Sequence, residues 1–153
     1  MDPYALNYNS EATIDNGSCN YALITDLNIH FTQTINGNPL TLDSMMYTNQ
    51  ANDNYSIQTV RYLISDITLH TDNSTSTLLD EVHFIDVSIA SSLTLIIPEI
   101  VNENYTSISF TMGLDSTKNV TDLFLNENFI PSFSWPEFLG GGYHYMQLEG
   151  DFN

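Results

Sequence analysis

Positive charge is nearly absent from this chain. Lys118 and Arg61 are its only lysine and arginine, against nineteen Asp and Glu residues, so the formal net charge at pH 7 is −17 over 153 residues. Nucleic acids are bound through Lys and Arg side chains that displace counterions from phosphates, and an anionic membrane surface repels a negative protein. We therefore expect no nucleic-acid partner, and we expect a cation, a neutral surface or a basic protein instead.

Long apolar runs are also missing. No stretch of about 20 apolar residues occurs, so the sequence predicts no membrane-spanning segment. No signal peptide is visible before Met1-Asp2-Pro3, and we expect the chain to be a mature form or an excised fragment of a secreted protein. Cys19 is the single cysteine, and a lone cysteine is typical of a small buried side chain.

Catalytic motifs are absent as well. The chain has no Gly-x-Ser-x-Gly, no His-Glu-x-x-His and no phosphate-binding glycine loop. Neighbouring acids such as Asp80 and Glu81 are expected by chance among nineteen, and we interpret them as a solvated face. The sequence therefore predicts that the protein is not an enzyme.

Short strands dominate what is present. The composition, 42% hydrophobic and 12% aromatic with many Ile, Thr and Val residues, favours strands over helices. Residues 23–35 and 105–114 alternate between apolar and polar, and turn signals such as Asn36-Gly37 separate the apolar segments. The predicted fold is all-β, an antiparallel β-sandwich or barrel of about seven or eight strands.

Several local expectations go with this fold. Residues 55–70 are apolar on both faces and predict one bent strand, two strands, or a strand with a helical turn. A strand over 92–97 is expected to stop at Pro98, and a short helix is expected near 121–126. Met112 and Met146 occupy apolar strand positions, where they are predicted to fill gaps in the core.

The N-terminal segment differs from the rest of the chain. Residues 1–21 are dense in Asp, Asn, Gly and Ser and show no strand or helix period, which predicts a compact loop held by side-chain-to-backbone hydrogen bonds. We therefore divide the chain into an N-terminal loop module, residues 1–21, and a β domain, residues 22–153. Oxygen donors of this loop that suit Ca²⁺ are Asp2, Asn7, Asn9 and Asp15. The alternative is a loop whose side chains satisfy only its own backbone.

Four phrases, in order along the chain, resemble one known family. They are PLTLDSMMYTNQANDNYSIQTVRYLISDITL, HFIDVSIASSLTLIIP, YTSISFTMGLDSTKNV and WPEFLGGGYHYMQLEG. Together they resemble the MbnP-like (methanobactin-associated periplasmic copper-binding protein) domain, in its secreted Bacteroidetes form, over residues 24–153. The resemblance implies an all-β periplasmic, secreted or cell-surface protein that binds copper. It also implies that Trp135 is the counterpart of an oxidised tryptophan found at the copper site of some members.

The N-terminal loop module carries a resemblance of its own. Residues 2–19 follow the pattern DPxAxNYNxxAxxDxGSC, which is similar to a short element attached to other secreted proteins of the same bacteria. A cysteine usually precedes the Asp-Pro pair of that element. The resemblance therefore implies that Cys19 forms a disulfide with a partner missing from this chain.

Imidazole and thioether groups supply the candidate copper ligands. His144 and Met146 share one face of the last strand, His83 lies on an apolar face, and His70 ends a strand beside a turn. Each of these histidines is also explained as a hydrogen-bonded histidine of the core, and His30, on a polar face, is predicted to be solvated. Because paired imidazoles are common metal ligands, we predict a metal site from His83, His144, Met146 and His70, in which His83 and His144 converge.

Three functions remain open at this point. The first is a secreted or periplasmic metal-binding protein that sequesters or delivers copper. The second is an extracellular structural or interaction module without metal chemistry, which assembles with itself or a partner protein through edge strands. In the second, the final strand after Gly140-Gly141-Gly142 is the edge that pairs. A third, carbohydrate binding, would require Tyr143 and Tyr145 to be exposed on one face.

Overall fold

A computed structural model describes residues 2–14 and 16–153 of the chain. Its strands are β1 Ile24–His30, β2 Thr34–Ile35, β3 Asn38–Pro39, β4 Tyr47–Thr48, β5 Asn54–Tyr55, β6 Thr59–Thr71, β7 Ser76–Asp86, β8 Thr94–Val101, β9 Tyr105–Met112 and β10 Met146–Glu149. The helical segments are a single α-helical turn, α1, at Ile130–Phe133 and 3₁₀ turns at Ala90–Leu93 and Glu137–Leu139. The predicted all-β fold is confirmed. Within the described residues, six strands have four residues or more, and the other four are two-residue strands that pair as β2–β3 and β4–β5.

Strand β6 is the centre of the main sheet. It is antiparallel to β7 along one side, and to β10 and then β9 along the other. Residues 59–71 form one bent strand: the register with β7 shifts between Ile67 and Thr68, and Asp66 beside the shift has φ 56°. Of the three expectations for this segment, the single bent strand is the one observed.

The sheet edge formed by β9 and β10 is split at Leu63. The Leu63 N–H donates to the Tyr145 carbonyl (3.0 Å), and the Leu63 carbonyl accepts from the Gly113 N–H (2.8 Å). The chain of β9 therefore leaves β6 at the same point at which β10 joins it. The junction is tight, because a Cβ added to Gly113 would lie 3.0 Å from the Tyr145 Cβ. The two strands follow one another along a single edge.

Two layers cover the faces of β6 and β7. On one face, the β1–β8 pair packs Ile29 and Leu95 against Ile64 and Ile85. On the other face, the irregular segment between β9 and β10 forms an aromatic cluster around Leu63. The buried aromatic residues of this cluster are Phe124, Phe129, Phe133 and Tyr143. Each large apolar side chain buried here contributes about 1.5–3 kcal/mol. The fold is a sandwich in which irregular chain replaces a strand layer.

Two local expectations were wrong. Strand β8 continues through Pro98, because the register shift opposite Thr25 and Leu27 places Pro98 in an irregular stretch. Glu99 follows with φ 59°, and bulges are where a strand tolerates proline. The expected helix near 121–126 is a run of turns, and the helical turn forms instead at Ile130–Phe133. Pro131 occupies the first turn of α1, where a missing N–H carries no penalty.

The core prediction for Met112 and Met146 was also wrong. Their side chains are 55% and 48% exposed. The β1–β8 layer covers β6 and β7 but leaves the face of β9 and β10 open. Alternation in the sequence assigned these residues to a face correctly, but it did not show that this part of the face has no covering layer.

Candidate metal centre

Three of the four histidines use a ring nitrogen in a hydrogen bond. The pairs are His30 Nδ1 with Thr94 Oγ1 (3.0 Å), His70 Nε2 with Ser109 Oγ (2.6 Å), and His83 Nε2 with the Ser92 carbonyl (2.9 Å). His30 is exposed, as expected for its polar face. The His83 ring also stacks on Phe31 at a centroid distance of 5.3 Å. These three histidines already have structural contacts.

His144 differs from the other three. Its side chain is exposed, and no ring-nitrogen hydrogen bond is made to it anywhere in the described part of the chain. Its ring packs edge-on against Trp135, with centroids 4.6 Å apart and planes at 83°. An imidazole of this kind keeps both nitrogens available for a ligand.

A tight reversal of the chain brings His144 to Trp135. The His144 N–H donates to the Phe133 carbonyl (2.8 Å), and the Trp135 N–H donates to the Gly142 carbonyl (2.8 Å). Gly142 has φ 81°, and a Cβ there would lie 2.6 Å from the Asn119 Oδ1. Only glycine fits such a position. The glycine run therefore positions the two rings. The sequence showed only that three glycines lie between the tryptophan and the histidine.

His144, Trp135 and Met146 line one open groove. The remaining lining residues are Asn119, Gly141, Tyr143 and Tyr145. We call this the His144 groove. The Trp135 Nε1–H donates to the Leu139 carbonyl (3.1 Å), which fixes the indole beside the imidazole. An imidazole and a thioether in reach of solvent form a soft donor pair, which favours copper over calcium or magnesium.

The structure separates the other predicted ligands from this groove. His83 lines a different cavity, with Phe84 and Ser92. His70 pairs with Ser76 and Ser107 at the far end of β6 from the residues that pair with β10. Over residues 2–14 and 16–153, no three His, Cys, Asp or Glu side chains are grouped as a metal ion would require. A metal centre here would therefore depend on His144 together with sulfur donors.

The N-terminal loop turns its oxygen atoms toward its own chain. Asp2 Oδ1 accepts from the Tyr4 N–H (2.9 Å) and Oδ2 from the Tyr21 hydroxyl (2.9 Å). Asn7 Oδ1 and Asn9 Oδ1 each accept a backbone N–H as well. The hydrogen bond to Asp2 raises the pKa of Tyr21 to about 12. These contacts fit the alternative of a self-satisfied loop, and the calcium site stays a prediction.

Two further predictions concern residues 15 and 19. Asp15, the fourth predicted calcium ligand, lies outside the described residues. Cys19 is a free, partly buried cysteine. The disulfide that the resemblance implies for it stays a prediction.

Both fixed cations are used inside the fold. Arg61 Nε contacts Asp86 Oδ2 at 2.6 Å, and Lys118 Nζ contacts Asp66 Oδ1. Burial alone would raise the pKa of Asp86, but hydrogen bonds from Ser88 and Arg61 outweigh it and leave the pKa lowered. The remaining carboxylates give the surface a negative field that attracts cations.

The fold and the groove describe an all-β protein with an exposed imidazole–thioether site. Comparison with protein families gives the assignment: the MbnP family model matches residues 24–153, so the chain belongs to the MbnP family. The predicted resemblance of residues 24–153 to the MbnP family is confirmed, and at the family level it associates the chain with copper-related periplasmic proteins. No curated protein and no solved structure matches the chain. Among the described residues, no helix has the length and apolarity needed to cross a membrane.

Proposed function

We propose that the protein binds copper in the periplasm or outside the cell and sequesters or delivers it. In this proposal His144 and Met146 are ligands and Trp135 packs beside the bound ion. The observation that carries the proposal is the position of His144. Within the described part of the chain its ring nitrogens have no hydrogen-bond partner, and the Met146 thioether lines the same groove. Membership of the MbnP family supports it.

The electrostatics of the protein favour the same proposal. The net charge is −17, and both fixed cations are paired with carboxylates. A cation therefore approaches a surface on which no Lys or Arg of the described residues is unpaired. The protein acts by binding rather than by catalysis in this account.

Copper titration tests the proposal. Purified protein is titrated with Cu(I), kept reduced by ascorbate, in competition with a colorimetric chelator. We expect binding at micromolar copper, and we expect His144→Ala to weaken it by at least about 10-fold, because even removal of a ligand's outer partner has that effect. His30→Ala is the matched control, since His30 is also exposed but its ring Nδ1 is hydrogen-bonded to Thr94. No binding at micromolar copper, or equal effects of the two substitutions, would reject the proposal.

Trp135 is the proposed counterpart of an oxidised tryptophan. Its ring lies against the proposed ligand His144, which is the position that this role requires. Intact-mass and peptide mass spectrometry of protein from its natural source would detect added oxygen on the peptide that contains Trp135. An unmodified peptide in copper-loaded protein would argue against this role.

One observation favours the alternative of a self-assembling module. The side chains of Ile108 and Phe110 on β9 are exposed, and both β9 and β10 pair only with β6 among the described strands. An open, apolar sheet edge is typical of strand addition. Size-exclusion chromatography with light scattering would separate the alternatives, because edge pairing predicts dimers or polymers that form without copper.

A further inference from the structure

We infer that Met112 is a third ligand of the His144 groove, contributed by a different strand, and that the site consequently selects Cu(I) over Cu(II). The inference rests on the proposed function and adds to it a residue and an oxidation state.

The split sheet edge places Met112 beside Met146. Met112 is paired with Ile64, and Met146 is paired with Tyr62. Those partners are two residues apart on β6, so the two methionine backbones are separated by about 7 Å along the sheet. Side chains of cross-strand partners share a face, and the period of a strand is two. Both methionines therefore extend from the same face.

The junction between β9 and β10 fixes this arrangement. Gly113 follows Met112, Tyr145 precedes Met146, and these two residues meet at Leu63. The close approach of Gly113 to the Tyr145 Cβ leaves no room for a side chain between the strands. The two methionines are thus held on either side of a rigid contact rather than on separate loops.

The exposure of these methionines leaves their sulfur atoms open to a ligand. Met112 and Met146 are about half exposed, although β-branched residues suit open strand positions better. Methionine has three rotatable side-chain bonds, so two sulfurs at this backbone spacing can converge on one ion. Thioethers are soft ligands that select Cu(I), whereas imidazole alone accepts several divalent metals. Adding Met112 to His144 and Met146 gives a set of two sulfurs and one nitrogen.

Methionine-to-leucine substitutions test the inference, because leucine keeps the apolar shape and removes the sulfur. Met112→Leu is compared with Met46→Leu, a methionine that is 59% exposed and lies outside the β9–β10 edge. We expect Met112→Leu to weaken Cu(I) binding by at least about 10-fold and to leave Cu(II) binding unchanged. We expect Met46→Leu to change neither.

Spectroscopy with Ag(I), a redox-inert substitute for Cu(I), gives an independent readout. In protein labelled with ¹³C at the methionine methyl groups, we expect Ag(I) to shift the signals of Met112 and Met146 and to leave those of Met45 and Met46 in place. If His144→Ala weakens copper binding but Met112→Leu does not, the inference is overturned and the proposed function stands. If the unmodified protein binds no copper, both are overturned.

Discussion

Arg61 and Lys118 each hold two distant segments of the chain together. Arg61 joins β6 to the end of β7 through Asp86, and Lys118 joins the turn after β9 to the bend of β6 at Asp66. Removing one member of a buried pair leaves the other charge uncompensated, which costs about 3–5 kcal/mol when burial is complete. At the scale of single residues, the two cations therefore stabilise the fold by joining these segments.

Asp86→Ala tests this role. Asp86 is buried and Arg61 is partly exposed, so we expect the free energy of unfolding in urea at pH 7 to fall by about 2–3 kcal/mol, below the fully buried value. The pKa of Asp86 is lowered in the folded protein, so its contribution is present above the unfolded pKa and is lost as the pH falls through the folded pKa. The variant and the unmodified protein should converge in acid. Glu103→Ala, at an exposed carboxylate, is the control, and an equal loss in both variants would contradict the assignment.

The pKa of Asp80 is shifted in the opposite direction from that of Asp86. Burial raises its pKa, and the hydrogen bond from the Val82 N–H and the nearby His83 only partly offset this. Its ionised form is therefore unfavourable in the folded protein, a penalty that appears as the pH rises from the unfolded pKa, about 3.9, through the folded value. We expect Asp80→Asn to raise the melting temperature at pH 8 and to leave it unchanged at pH 3. A lower melting temperature for the variant at pH 8 would contradict this.

Among the secondary-structure elements, the junction of β9, β6 and β10 determines how the candidate ligands are positioned. Strand β10 places Met146, and β9 ends at Met112 beside it. His144 lies just before β10, where its N–H donates to the Phe133 carbonyl. Gly113, with φ 89°, allows the two strands to meet. Changes at this junction should therefore affect metal binding as well as stability.

Gly113→Ala tests the junction, with Gly37→Ala as the matched control. Both glycines have positive φ, but a Cβ at Gly37 would have no neighbour within 4 Å, whereas one at Gly113 would meet Tyr145 at 3.0 Å. We expect Gly37→Ala to lower the free energy of unfolding by about 1–2 kcal/mol, from backbone strain alone. Gly113→Ala should lower it further and also weaken Cu(I) binding. Equal losses of stability in the two variants would show that the Tyr145 contact is not restrictive.

The sequence predicted which segments form strands better than it predicted which layer packs on each strand. Alternation identified β1 and β9, and the turn chemistry separated the strands, because both are local properties of the chain. The sequence pattern did not show that the face around Met112 is open, because the extent of the β1–β8 layer depends on contacts between residues that are distant in sequence. The strand end at Pro98 was misplaced for a related reason, since a bulge accommodates proline without ending the strand. Local pattern gives the face of a residue but not its neighbour across the core.

Negative charge dominates the molecule as a whole. With a net charge of −17 and both fixed cations paired with carboxylates, the folded state is destabilised by repulsion among its carboxylates. The same field raises the local concentration of cations near the surface. Stability and the proposed metal binding should therefore both depend on ionic strength.

Melting temperatures at two salt concentrations test this repulsion. Raising NaCl from about 10 mM to 150 mM shortens the screening length from about 30 Å to 8 Å, so we expect the melting temperature to rise. CaCl₂ at matched ionic strength should raise it further only if the N-terminal loop module binds calcium. A melting temperature that does not change with NaCl would contradict the account of self-repulsion.

The candidate site was predictable in part. His144 and Met146 were proposed from the sequence because soft ligands are few in this chain, and Trp135 was proposed from the family resemblance; their role at a metal site stays a prediction. The sequence grouped His144 with Met146, but it did not predict the contact of Trp135 with His144, since that contact depends on the reversal of the chain at Gly142. The predicted partner His83 lies instead in another cavity, where its hydrogen bond to Ser92 belongs to the β1–β8 side of the sandwich.

Anomalous X-ray diffraction at the copper absorption edge, from crystals of the copper-loaded protein, would show directly whether copper binds in the His144 groove. We predict a copper peak in this groove, bonded to an imidazole nitrogen of His144 and to the sulfurs of Met146 and Met112, with the Trp135 ring alongside. A copper peak at His83 or His70, or no peak in the groove of protein that has bound copper, would contradict it.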